Sequence, residues 1–275
     1  MKVVDLTGRI CLVVGGGGGG IGTAIVEAAA EAGADVAAIT YVEEHARDTE
    51  ARVASMGRRC ATVVADVTDE RALVAAIASL RKDLGPIDRL VNVVGGNLTD
   101  DWYRTSELDM AAFDRILSRN LRYAVVSCRE VAVALIAEGR PGAIVNISSI
   151  AAKGTPLLGT YAASKAGLES FSRTMALEWG SKGVRVNLVA PGTIHTPRTG
   201  DTAAARELAA RTIPLGRRVL PADIADAAMF LLSDLSSYIT GQIISIDGGS
   251  SLGSSHGDRL PDMVTNPVVR ARFGQ

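Results

Sequence analysis

The sequence predicts an α/β protein built on a doubly wound parallel sheet, and three observations predict it. Short apolar runs alternate with helical patterns almost to the end of the chain. These runs are continuously apolar, as expected of strands whose two faces are both covered by helices. A run of six glycines, Gly15 to Gly20, joins the first apolar run to the first helical pattern.

The first candidate strand is Ile10–Val14, and the helical pattern after the glycines places Ile21, Ile25, Ala28, Ala29 and Ala32 on one face. A glycine inside regular structure costs roughly 0.5–1 kcal/mol relative to alanine, so the run implies a task for the backbone itself. That task is phosphate binding: glycines let the main chain approach closely, and free N–H groups at the helix start face a pyrophosphate. A Gly-x-Gly-x-x-Gly match is automatic within such a run, so the strand before it and the helix after it carry the reading. The next candidate strands are Val36–Thr40, Thr62–Ala65, Leu90–Val94, Ala143–Ile147, Val184–Val189 and Ile243–Ile246, giving about seven in all. Helical patterns such as Leu73, Ile77, Leu80 and Leu84 separate them, which predicts right-handed crossovers. No Pro/Ser-rich linker interrupts residues 1–250, which are expected to form a single domain. Residues 251–275 change to Gly, Ser, Pro and charges, the pattern of a tail that is disordered or packs on a neighbouring subunit.

The formal net charge is −1 and the pI about 6.3, which gives no pull toward nucleic acid or anionic membrane. Cys11, Cys60 and Cys128 lie far apart with no metal-ligand spacing. They read as reduced thiols of a cytoplasmic protein, with no metal site. The chain does not open on a signal-peptide pattern. The longest apolar segment, Ala124–Ala137, is interrupted by Arg129 and Glu130, so no stretch approaches the ~20 apolar residues of a membrane span.

The chemistry-bearing residues lie in the middle of the chain. Tyr161 and Lys165 stand four apart at the start of a helical pattern, so phenol and ammonium share a face. A tyrosine with a pKa near about 10 is a poor acid at neutral pH, and a nearby cation lowers that value by roughly 1–3 units. The apolar run Ile144–Ile147 ends in Ser148 and Ser149, at the strand end where open α/β sheets place ligands. Asn120 shares a helical face with Phe113, Ile116 and Leu117, either as a satisfied core amide or as the holder of a water in a proton path.

Taken in order, Gly16-x-x-x-Gly20-Ile21-Gly22, Asp66-Val67, Asn92-x-x-Gly95, Asn120, Ser148-Ser149, Tyr161-x-x-x-Lys165, Asn187 with Pro191-Gly192, and Ile239-Thr240-Gly241-Gln242 through Asp247-Gly248-Gly249 resemble the short-chain dehydrogenase/reductase family. The resemblance runs from about residue 5 to 250 and implies a Rossmann-type fold. It also implies hydride transfer between nicotinamide and a ketone or secondary alcohol, with Tyr161 as general acid/base and Lys165 lowering its pKa while binding the nicotinamide ribose. A serine would hydrogen-bond the reacting carbonyl, and Asn120 would anchor a relay water. The strand ending favours Ser149 for the serine role, whereas the usual spacing to the tyrosine suits Ser148. For the cofactor, the resemblance implies a cleft made by Gly16, Gly18, Gly20, Ile21, Gly22, Asn92 and Gly95. Asp66, with Val67, would meet the adenine amino group. Pro191, Gly192, Ile194 and Thr196 would hold the nicotinamide carboxamide side.

Two positions depart from the family pattern: Gly15 replaces its usual threonine and Val93 its second asparagine. They motivate a rival reading, a dinucleotide-binding scaffold or sensor without turnover. The second strand ends in Thr40-Tyr41, so no acid occupies the slot that would bind a ribose 2′-OH, which leans toward NADP(H) over NAD(H). Glu43 and Glu44, and the lack of an arginine in the loop, lean back. His195 reads as a loop residue beside the cofactor segment. The expected substrate walls are Gly96-Asn97-Leu98 with Trp102 and Tyr103, then Lys153–Gly159 and Thr196–Arg218. Small residues after Tyr161 (Ala162, Ala163, Ala166, Gly167) permit close helix contact, and the resemblance implies a homo-oligomer, dimer or tetramer.

Overall fold

The computed structural model describes residues 3–97, 99–195 and 200–252. Seven strands are present among them: β1 (Ile10–Val14), β2 (Asp35–Thr40), β3 (Cys60–Val64), β4 (Arg89–Asn92), β5 (Gly142–Ile147), β6 (Val184–Pro191) and β7 (Ile243–Ile246). The helices are α1 (Ile21–Glu31), α2 (Glu43–Ser55), α3 (Glu70–Leu84), α4 (Met110–Leu117), α5 (Tyr123–Ala137), α6 (Gly159–Trp179), α7 (Ala203–Thr212) and α8 (Pro221–Leu232). All neighbouring strands pair in parallel, in the order β3-β2-β1-β4-β5-β6-β7. This is the doubly wound, Rossmann-type sheet that the sequence predicts.

Successive side chains of a strand face opposite sides, and β1 shows why its run is unbroken. Leu12 and Val14 pack with Leu73 and Leu80 of α3, Tyr123 of α5 and Leu168 of α6. Cys11 and Val13 face the other way, toward Ile25 and Ala29 of α1 and Ile224 and Leu232 of α8. Both layers are buried, so a truncation such as Leu12→Ala is expected to cost about 2–5 kcal/mol.

The topology locates the site. From β1 the chain winds outward to β3, then crosses back so that β4 lies on the other side of β1. The crevice at this reversal, outside the strand C-termini, is where such sheets bind ligands. The sequence run Leu90–Val94 is shortened at this point. Strand β4 ends at Asn92, because the N–H groups of Val93 and Val94 both turn to the Val14 carbonyl, at 2.9 and 3.2 Å. Gly15, with φ +98°, carries β1 away at the same level.

Candidate active site

The glycine loop follows β1 and is shaped by backbone contact. A Cβ on Gly22 would lie 1.8 Å from the Gly15 carbonyl oxygen, so the start of α1 rests directly on the main chain leaving β1. Helix α1 begins after Gly20 with no side-chain cap and no acid in its first turn. Its first N–H groups are thus left without a side-chain acceptor, as a phosphate site requires. Gly16 is clamped through its carbonyl, which accepts from Thr49 Oγ1 of α2 at 2.8 Å, and Gly19 N–H donates to Thr23 Oγ1 at 2.9 Å.

Next to this loop lies a cavity of about 560 Å³ whose lining includes Gly17, Thr40, Tyr41, Asp66, Val67 and Val94. Asp66 Oδ1 accepts from the N–H and hydroxyl of Thr68, at 2.8 and 2.7 Å, which fixes the carboxylate at the rim. The Thr40 hydroxyl is turned to the main chain and donates to the Val42 carbonyl at 3.2 Å. The structure thus gathers Thr40, Tyr41, Asp66 and Val67 at one end of the crevice. Glu43 and Glu44 do not line this cavity, and Glu43 is paired with Arg47 at 3.4 Å.

A second cavity, of about 230 Å³, is lined by Ile21, Gly95, Ser149, Tyr161, Lys165, Pro191, Gly192 and Ile194, among others. Tyr161 and Lys165 lie one turn apart on α6, with Nζ 5.8 Å from the phenol ring centroid. Lys165 is only 3% exposed, and its ammonium donates to the Ile147 carbonyl at the end of β5, at 2.8 Å. Burial pushes its pKa down to about 8, so the group keeps its proton at neutral pH. The fold therefore holds a buried positive charge beside the phenol, the arrangement that lowers a tyrosine pKa.

Ser149 closes β5 with extended backbone, and its Oγ accepts from Ala151 N–H at 3.1 Å while lining the cavity. The neighbouring Ser148 hydroxyl donates to Glu169 Oε1 of α6 at 2.7 Å, which occupies its proton.

Asn120 is fully buried within a widened π turn, Ser118–Arg122, that joins α4 to α5. Its amide donates to the Ile116 carbonyl at 3.0 Å and its oxygen accepts from Gly96 N–H at 2.8 Å. It is a satisfied amide that also ties the loop after β4 to the helix. A Cβ on Gly95 would lie 2.5 Å from Asn120 Oδ1 and 3.3 Å from Lys165 Nζ, so only a glycine lets this loop pass both groups. π turns of this kind recur at functional sites.

Asn92 is in the lining of neither cavity: its Nδ2 donates to Asn146 Oδ1 at 2.8 Å, and its oxygen accepts from Ser127 Oγ at 2.6 Å. Asn146 in turn donates to Ser172 Oγ at 2.9 Å. A buried amide must find partners, and the adjacent strand β5 and helix α5 supply them. Thr196 lies outside the described residues, as do Leu98 and residues 253–275 of the predicted tail.

Trp102 is exposed, and Tyr103 N–H donates to the Leu157 carbonyl at 3.0 Å, these two lining a further cavity of about 250 Å³. Leu157 has φ +66°, a left-handed conformation that strains a branched residue. Sequence reasoning missed three residues here: Glu169, Thr49, and Asp101, which pairs with Arg115 at 3.5 Å and with Arg119. Each acts across elements far apart in the chain, and none belongs to a local motif. No group of His, Cys, Asp and Glu side chains able to hold a metal occurs among the described residues, and none of their helices is long and apolar enough to cross a membrane.

The sheet, the uncapped glycine turn and the tyrosine–lysine pair together define a dinucleotide-dependent oxidoreductase of the Rossmann class. Comparison with known proteins narrows the class. The model of a family described as enoyl-(acyl carrier protein) reductase matches residues 16–251. The chain is 39% identical over 244 residues to carbonyl reductase family member 4 of Danio rerio, covering 87% of this chain and 97% of that protein. It is 37% identical over 246 residues to the 3-oxoacyl-(acyl-carrier-protein) reductase FabG of Thermotoga maritima, covering 89% of this chain and 98% of that one. The crystal structure of a short-chain alcohol dehydrogenase from Sinorhizobium meliloti 1021, described there as putative, superposes with a TM-score of 0.84 at 34% identity, covering 92% of this chain and all of the other. The protein belongs to the short-chain dehydrogenase/reductase family and is an NAD(P)-dependent oxidoreductase.

Proposed function

We propose that the enzyme interconverts a ketone and a secondary alcohol, with Tyr161 as the acid/base and NADP(H) favoured over NAD(H). The observation that carries the reading is the buried Lys165 ammonium one helical turn from the Tyr161 phenol. The relatives' names point the same way: carbonyl reductase, 3-oxoacyl reductase and cis-4-hydroxycyclohexanecarboxylate dehydrogenase all act at a carbon bearing oxygen.

The crevice suits a dinucleotide, since cavities of about 560 and 230 Å³ open beside the glycine turn, one lined by Gly15 and Gly17 and the other by Ile21 and Gly95. Gly16, Gly18, Gly20 and Ile21 would receive the pyrophosphate, Asp66 and Val67 the adenine, and Pro191, Gly192 and Ile194 the nicotinamide end. When bound, the cofactor supplies or takes the hydride. The protein's residues do the rest. Ser149 donates its hydroxyl hydrogen to the substrate oxygen and orients it. Tyr161 gives that oxygen a proton during reduction and recovers it during oxidation. Lys165 stabilises the phenolate left behind, and Asn120 steadies the loop at Gly95–Gly96 beside the ammonium.

The expected substrate walls include Trp102, Tyr103 and Leu157, which suit a bulky or cyclic carbonyl compound. A homo-oligomer, dimer or tetramer, belongs to the reading. Helix α6 leaves Phe171 and Leu177 exposed, and α5 leaves Val133 exposed. The three free cysteines accord with a reducing, cytoplasmic setting.

Tyr161→Phe tests the proposal. Turnover of a ketone panel, followed by nicotinamide absorbance, is expected to fall at least a thousandfold, with dinucleotide affinity within a few fold of wild type. Undiminished turnover in the variant would remove Tyr161 from the chemistry, and no turnover in the wild type with dinucleotide still bound would favour a sensor.

A further inference from the structure

His45 belongs to no motif, yet it stands over the glycine loop. A Cβ on Gly17 would lie 2.8 Å from His45 Cβ, and one on Gly18 would lie 3.2 Å from its Cε1. The ring therefore covers the bend of the loop from the first turn of α2. One turn further on, the Thr49–Gly16 hydrogen bond locks α2 in that position.

The imidazole lines the same cavity as Thr40, Tyr41 and Asp66, and makes no hydrogen bond among the described residues. The other polar groups of this lining are engaged, apart from the solvent-exposed Tyr41 hydroxyl. Thr40 donates to Val42, Asp66 is held by Thr68, and Arg115 and Arg119 pair with Asp101. Among the described residues, Asp66 is the only carboxylate in the lining. Between Gly17 and Tyr41, then, an imidazole without a hydrogen bond lines a space with no acid at the β2 terminus. In such sheets an acid at that terminus binds the ribose 2′-OH, and a basic group there accommodates a 2′-phosphate.

We infer that His45 selects the dinucleotide, its ring N–H donating to the 2′-phosphate of NADP(H) while α2 holds it against Gly17 and Gly18. The inference rests on the dinucleotide site proposed above. It concerns one residue of that site, and it can fail while the site itself stands.

Isothermal titration of the ligand-free protein with adenosine 2′,5′-bisphosphate and with AMP tests it without turnover. Wild type is expected to bind the bisphosphate at least tenfold tighter than AMP. His45→Ala is expected to lose at least fivefold for the bisphosphate while AMP stays within twofold, and His45→Gln, which keeps an N–H donor, to recover part of the loss. Equal affinities in wild type, equal weakening of both ligands in His45→Ala, or no change in either would each overturn the assignment. If neither ligand competes with NADP(H), the dinucleotide site is itself misplaced and the proposed function falls with the inference.

Discussion

The Ser148 hydroxyl donates to the Glu169 carboxylate at 2.7 Å, so two adjacent serines at the end of β5 have separate tasks. Both serines line the cavity, but Ser148 spends its proton on fastening the strand end to α6, whereas the Ser149 oxygen only accepts from Ala151 N–H. Ser149→Ala is expected to lower kcat/KM by about a hundredfold or more, in line with loss of a donor at the reacting oxygen. Ser148→Ala should stay within about fivefold and lose some stability instead. Steady-state kinetics on both variants checks this, and the reverse ranking would transfer the role to Ser148.

Lys165 supplies a pH dependence whose sign follows from its burial. Its pKa is pushed down to about 8 in the folded protein, while an unfolded lysine titrates near about 10.4. Between those values the unfolded chain binds more protons, so stability contributed by this group rises with pH through that window. Below about 8 both states are protonated and the burial penalty is constant. Urea unfolding without dinucleotide, at pH 7, 8.5 and 10, is expected to show wild type gaining on Lys165→Met by on the order of 2–3 kcal/mol as pH rises. A flat difference would show that the ammonium is not desolvated.

Two glycines at the start of α1 should respond very differently to the same methyl group. Gly22→Ala sets a Cβ 1.8 Å from the Gly15 oxygen, whereas a Cβ at Gly20 meets nothing within 4 Å. Gly22→Ala is expected to cost about 2–4 kcal/mol of stability and at least tenfold in dinucleotide affinity. Gly20→Ala should change stability by about 1 kcal/mol or less. Thermal melts and fluorescence titration with NADP(H) separate them.

Asn92 offers a test of structural against cofactor duty. Asn92→Ala removes partners from Asn146 and Ser127 in a buried network. The expected loss is about 2–3 kcal/mol of stability, the cost of stranding buried polar groups. Dinucleotide affinity of the folded variant should remain within threefold, and a large affinity loss at unchanged stability would return Asn92 to the cleft.

The legible part of this protein was local. All seven strands answer to apolar runs, and β1 and β7 coincide with theirs to the residue. Tyr161 and Lys165 could be joined because four residues of helix make one turn, and Ser149 because a strand end faces the crevice. The hydrogen bonding of Asn92 was not legible, for an equally plain reason. Its place at a strand end was visible, but the partners awaiting its amide stand on β5 and α5, 54 and 35 residues further along the chain.

What the sequence determined by itself is the sheet, its crevice and the presence of a phenol and an ammonium on one helical face. Periodicity and the cost of glycine act over a few neighbouring residues and can be read there. The tertiary structure alone decided which serine keeps its proton for the cavity, which amide is consumed in the core, and that His45 overhangs the glycine loop. Those outcomes depend on groups meeting across elements, and a hydrogen bond is assigned only when both of its ends have been placed.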